Sequence, residues 1–120
     1  MDLSKLEKYK QKFRFFREPI GSLQAYLDKV SQSAIQIISP YQVSRVLAIP
    51  ELDAVFLLAL AEKEHLVQKK FLVFTKDEHS LLGEFDDKQE IPTEIENNET
   101  GKPVDQDHYY IDIVFEVPHE

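Results

Sequence analysis

SPYQVSRVLAIPELDAVFLLALAEKEHLV, residues 39–67, is the stretch whose reading decides the fold. It opens with a complete helix start: Ser39 as N-cap, Pro40 at the first helical position, and Gln42 three residues after the cap to close a capping box. The short helix that follows is expected to turn Val43, Val46 and Leu47 inward and to stop at Ile49-Pro50. There Pro50 serves as the first residue of the next helix, running to about His65. Two helices are thus joined by a very short turn. The middle of the second, residues 54–61, is apolar on every side, and such a helix is buried either in its own core or in a partner.

Upstream, Leu3, Leu6, Tyr9, Phe13 and Phe16 recur at spacings of three and four between Lys5, Glu7, Lys8 and Lys12. This pattern predicts an amphipathic basic helix over residues 3–17, closing before Pro19. Gly21-Ser22 then breaks the chain, with Ser22 as N-cap of a second helix whose face is Leu23, Tyr26, Leu27 and Val30, ending near residues 31–33. Residues 34–38 are short, apolar and rich in Ile, and read as a brief strand. Downstream, residues 71–75 and 81–85 are apolar segments about a polar loop, the pattern of a hairpin. Residues 86–107 are acidic and contain Pro92, Gly101 and Pro103, so they are mostly loop, with a short strand near residues 91–95. In the last segment Ile111, Ile113, Phe115 and Val117 alternate as a half-buried strand. The class is α+β. The expected segmentation is an N-terminal basic helix at 1–20, a core of helices and hairpin at 21–85, and an acidic loop with a terminal strand packed on that core at 86–120.

Composition bounds the function. A chain of 120 residues that is 42% hydrophobic, with eight Phe and five Tyr, has material for one core. Without Cys there are neither disulfides nor thiolate metal sites, which fits a reducing cytoplasm. The start lacks the apolar segment of a signal peptide, and the longest purely apolar run, 54–61, falls far short of the roughly 20 residues that span a bilayer. Neither export nor a membrane is expected. The net charge of −8 is unevenly spread: residues 1–50 carry eight Lys/Arg against four Asp/Glu, whereas residues 51–120 carry six against eighteen. The halves are therefore +4 and −12, and only the first half has the sign to attract phosphate.

Catalytic and metal-binding patterns are missing. His65, His79, His108 and His119 form no i, i+4 pair, and Glu62 with His65 is half of a di-metal helix motif whose other half does not occur. A solvated helix-end imidazole accounts for His65. Asp86, Asp87, Glu90, Glu94, Glu96 and Glu99 do not follow the spacing of a calcium loop, and three Gly residues cannot assemble a phosphate-binding loop. No elbow or dyad spacing supports a Ser or Lys nucleophile. No enzyme, cofactor or metal is expected.

The order helix, short strand, helix, tight turn, helix, hairpin over residues 22–85 resembles the winged helix-turn-helix superfamily. Ser39-Pro40-Tyr41-Gln42-Val43, Leu47-Ala48-Ile49-Pro50 and the run from Leu57 into Val67 carry the likeness, which covers about half the chain. A second likeness is to bacterial accessory proteins in which such a core is followed by a zinc-ribbon-like element with two Cys pairs. The corresponding spacing here is Thr75-Lys76-Asp77-Glu78 and, after eighteen intervening residues, Asn97-Asn98-Glu99-Thr100-Gly101, with no Cys at any ligand position. An ordinary acidic loop is the competing account. A metal-free ribbon would have to be held by Phe74, Leu82, Phe85, Ile91 and the terminal strand.

Winged helices that read DNA present Arg, Lys, Asn or Gln from the third helix to base edges. Residues 50–62 contain none of these, and Glu51, Asp53, Glu62 and Glu64 would face phosphate with the wrong sign. The leading expectation is accordingly a protein-binding adaptor or accessory subunit, and the likeness implies a bacterial multi-component, defence-type system as its setting. Its expected contacts are Leu6, Tyr9, Phe13 and Phe16 on the first helix, binding a second copy or another protein, with Asp77, Glu78 and His79 at the wing tip. The same first-helix stripe packed on its own core is the competing account. Two other readings stand beside it: a dimeric DNA-binding regulator acting through Lys63, Lys69, Lys70, Lys76 and the basic first helix, and an acidic DNA mimic built on the −12 half.

Overall fold

Ser39 caps the third α-helix of a computed structural model that describes residues 1–34 and 36–119, and the chain is α+β. It divides into two bodies: Met1–Gln68 with the residues from Phe115 onward, and Lys69–Val114. The division falls at neither of the boundaries expected from the sequence, 20/21 and 85/86.

The first body is helical. Its N-terminus is not one helix over residues 3–17. A 3₁₀ turn at Leu3–Leu6 leads into α1 (Glu7–Lys12), Phe13 leaves helical geometry at φ −120° and ψ 71°, and a second 3₁₀ turn, Arg14–Phe16, leads into α2 (Arg17–Ser31). Pro19 therefore lies inside α2. In the first helical turn its missing N–H breaks no intrahelical bond, so the proline is tolerated where a stop was expected. Gly21 and Ser22 are likewise interior, and Ser22 caps nothing. The buried row Ile20, Leu23, Leu27 and Val30 outweighs the roughly 0.5–1 kcal/mol cost of a helical glycine.

The expected capping box is present in full: Gln42 N–H donates to Ser39 Oγ, and the Gln42 side chain accepts from the Ser39 N–H. It starts α3 (Pro40–Leu47), which ends at Ala48 in the left-handed region, φ 55°, with the Ile49 N–H returning to the Ser44 carbonyl. Pro50 is the N-cap of α4 (Glu51–Lys63) and not its first residue. Glu51 and Asp53 lie in the first turn and Lys63 in the last, each of the sign the helix dipole favours. α3 packs along α4 and α1 along α2. The core between them takes Ile20, Leu23 and Leu27 from α2, Val43 from α3, and Ala54, Leu57, Leu58 and Ala61 from α4. Of the strand expected at residues 34–38, Ile35 lies outside the described residues, and β1 is Ile37–Ile38. It runs antiparallel to the chain's last strand, with Ile38 opposite Phe115, and the Val117 N–H donates to the Gln36 carbonyl.

The second body is β. β2 (Gln68–Thr75) and β3 (Leu81–Phe85) form the expected antiparallel hairpin, with Phe71 opposite Phe85 and an irregularity between Val73 and Phe74. At Gly83 a Cβ would lie 2.9 Å from the Phe85 ring, so a larger residue there would require that ring to shift. The last strand, β6 (Tyr109–Glu116), neighbours β2 in the order β6-β2-β3. Between β3 and β6 in the chain lies a hairpin that the sequence reading did not contain. β4 (Glu94–Asn97), later than the single strand expected at 91–95, pairs with β5 (Lys102–Asp105), Ile95 opposite Val104. Pro103 is compatible with β5 because a two-stranded ribbon leaves one edge of each strand unpaired. In β6 strict alternation fails: Ile113 is 42% exposed, while Val114 and Phe115 are consecutive and both buried, at the point where the strand passes from the second body into the first.

Candidate functional site

The apolar stripe of the N-terminal helix is occupied by the molecule's own core. Leu6 is 1% and Tyr9 4% exposed, and Phe13 and Phe16 pack on Phe56 with ring centroids 5.2 and 5.3 Å away. Leu6 and Tyr9 are therefore not open for contact, whereas Phe13 and Phe16 are half-buried against the core. A carboxylate completes the arrangement. The Tyr9 hydroxyl donates to Glu64 Oε2 and Lys8 Nζ donates to Oε1 at 3.0 Å. These hydrogen bonds, Tyr9 first, hold the Glu64 carboxyl below the usual range, and the same Tyr9–Glu64 bond pushes the phenol up.

The other expected residues are distributed differently. Asp77, Glu78 and His79 are exposed on the β2–β3 turn, and His79 Nδ1 lies 3.1 Å from the Tyr110 hydroxyl. Lys63 belongs to the first body, and Lys69, Lys70 and Lys76 to the second. Lys70 is not available to phosphate as a simple surface cation: its ammonium is paired with Asp86 and lies 3.8 Å from Glu84, and the side chain is only 14% exposed. Lys63 and Lys76 are exposed.

What the sequence reading missed is that α3 and α4 leave large apolar side chains exposed. Leu52 is 83% exposed, Val46 58%, Tyr41 57% and Val55 43%. Val46 had been expected inward. The outer side of α4 adds Ala59, also exposed, and on α3 the Arg45 guanidinium lies 5.9 Å from the Tyr41 ring centroid. For Val55 and Ala59 the signal was present in the all-round apolarity of residues 54–61, which supplies more apolar side chains than one helix face can bury; Tyr41, Val46 and Leu52 lie outside that run.

The second body contains a half-open cavity of about 460 Å³. Both turns singled out in the sequence line it, Thr75, Lys76, Asp77 and Glu78 from one and Asn97 and Thr100 from the other, together with Lys102, Asp105 and His108. Thr75 and Asn97 are buried, at 4% and 9% exposure. His108 Nδ1 lies 2.6 Å from Asp105 Oδ1; that hydrogen bond raises the His108 pKa above the usual imidazole value and lowers that of Asp105. Among the described residues, no three His, Cys, Asp or Glu side chains are grouped so as to hold a metal ion, and no helix is long and apolar enough to cross a membrane. No family model, no curated protein and no solved structure matches this chain.

Proposed function

We propose that the chain is a non-enzymatic protein-binding module, a cytoplasmic accessory subunit with a winged-helix-like order of elements, whose contact face is the outer surface of α3 and α4. The observation that carries this reading is Leu52, almost fully exposed in the first turn of α4, with Val46, Tyr41 and Val55 open on the same two packed helices. A single exposed leucine is unremarkable on any surface, but four large apolar side chains on one helix pair are the composition of an interface core. Burying Leu52 alone in a partner is worth about 1.5–3 kcal/mol.

The same face disfavours base reading. Leu52, Val55 and Ala59 offer no hydrogen bonds to base edges, and Glu51 and Asp53 repel phosphate. The pairing of Lys70 with Asp86 and Glu84 removes one cation from the alternative DNA-binding set. The order α2, β1, α3, α4, β2–β3 supports the winged-helix likeness, with one departure: β1 pairs with β6 and not with the hairpin.

The test is affinity capture of the full chain from its native host after nuclease treatment, comparing wild type, Leu52→Asp and the double variant Lys69→Glu with Lys70→Glu. A protein retained in stoichiometric amount by wild type and the lysine variant, and lost from a folded Leu52→Asp, is the expected result. Duplex DNA held near physiological salt and released by the lysine changes would instead establish the regulator reading.

A further inference from the structure

The two turns that line the cavity of the second body are built alike. In the first, the Thr75 carbonyl accepts the His79 N–H at 3.0 Å; in the second, the Asn97 carbonyl accepts the Gly101 N–H at 2.7 Å. Both bonds run from a residue to the fourth after it. In both turns that fourth residue is left-handed, His79 at φ 55° and Gly101 at φ 73°. In both, the first residue is buried and its side-chain oxygen also accepts a backbone N–H: Thr75 Oγ1 from Ser80, and Asn97 Oδ1 from Glu99, each at 3.0 Å. One turn joins β2 to β3 and the other joins β4 to β5, so the repeat is between two hairpins.

Each turn thus offers a pair of side chains with two residues between them, Thr75 with Glu78 and Asn97 with Thr100, and all four line one cavity. Two such pairs on two hairpin turns are the scaffold of a four-ligand tetrahedral structural metal site, in which backbone N–H groups also point at ligand atoms. The donors present here are two hydroxyls, one amide and one carboxylate. They supply no thiolate or imidazole, the ligands a structural zinc site requires.

We infer that the second body is a metal-independent counterpart of a four-ligand knuckle pair, with Thr75, Glu78, Asn97 and Thr100 at the ligand positions, a frame that would take a soft divalent cation only with thiolates in their place. Its order comes instead from the turn hydrogen bonds, from Val73 and Val114, and from Tyr109, whose hydroxyl donates to the Pro92 carbonyl at 2.9 Å. This inference concerns the second body alone and is independent of the α3–α4 contact face.

The experiment substitutes all four positions in the full chain, Thr75→Cys, Glu78→Cys, Asn97→Cys and Thr100→Cys, and titrates the reduced protein with Zn²⁺ and Co²⁺. Expected are about one equivalent of metal, the visible absorption of tetrahedral Co²⁺ with thiolate ligands, and a Tm that rises on metal addition and falls with chelator. Wild-type Tm is expected to be unmoved by chelator. A folded four-cysteine variant that binds no metal, or a wild type that melts earlier in chelator, overturns the inference. If the four-cysteine chain does not fold with or without metal, the double variant Glu78→Cys with Thr100→Cys, both at exposed positions, decides. Bridging of those two thiols by a short bifunctional reagent, faster than in an Asp77→Cys with Glu99→Cys control, supports the frame, and an equal or slower rate refutes it.

Discussion

The two bodies reach order by different means. The first buries an extended apolar core supplied by α2, α3 and α4, in which Leu27, Val43, Leu57 and Leu58 are wholly inaccessible. In the second, among the described residues, only Val73, Tyr109 and Val114 are buried hydrophobics, beside the buried polar Thr75 and Asn97. The first is stabilised chiefly by area removed from water, at roughly 25 cal/mol per Å². The second depends on turn hydrogen bonds, each contributing about 0.5–1.5 kcal/mol net and none substituting for a core. Small domains with little apolar burial usually recruit a disulfide or a metal. Here Cys is absent and the ligand positions carry Thr, Glu, Asn and Thr, so the β body is the less protected of the two.

The largest expected effect tests the apolar body. Leu57→Ala, at a site with no exposure, should cost about 2–5 kcal/mol in denaturant unfolding followed by helical circular dichroism. A loss under 1 kcal/mol would mean the core does not carry this body. Val73→Ala removes two buried methyl equivalents from the β body and should cost about 1.5 kcal/mol, read most strongly as faster amide exchange in β2 and β3. An equal loss of protection in α2 and α4 would erase the distinction between the bodies. Ser39→Ala removes the cap of α3 and should cost about 1 kcal/mol, monitored by exchange of the Gln42 amide.

The smallest effect is the pH dependence of the Asp105–His108 pair, since both side chains are largely exposed and salt screens them. The raised His108 pKa means that its contribution is full below the ordinary imidazole value of about 6.5 and disappears as pH rises through the raised value. The lowered Asp105 pKa means that the same contribution is present above the ordinary carboxyl value and disappears as pH falls through the lowered one. The pair therefore stabilises most from about pH 4 to 6.5. NMR titration of the His108 ring should show the upward displacement and its removal in Asp105→Asn; an unaltered titration in that variant would separate the two groups.

Elements with strong local chemistry were legible before the fold was known. The capping box at Ser39 and the hairpin of β2 and β3 stand where expected, because a cap and an apolar-polar-apolar run need no tertiary information. Pro19 misled because a proline in the first turn of a helix leaves the same mark in a sequence as one that ends a helix. β5 went unseen because Lys102-Pro103-Val104-Asp105 has no alternation, and its pairing is imposed by the Asn97–Gly101 turn. Burial was the hardest to read. The stripe through Leu6 and Tyr9 and the apolar α4 both announce an apolar surface, and only the packing shows that the first is covered while Leu52 and Val55 are open.

Native-state hydrogen exchange across a series of low denaturant concentrations tests the contrast between the bodies most directly. The amides of α2 and α4 should exchange with the full unfolding free energy and denaturant slope, and those of β4 and β5 through openings of lower free energy and shallower slope. If both sets converge on one free energy and one slope even in the absence of denaturant, the chain has a single cooperative core and the two bodies do not differ in stability.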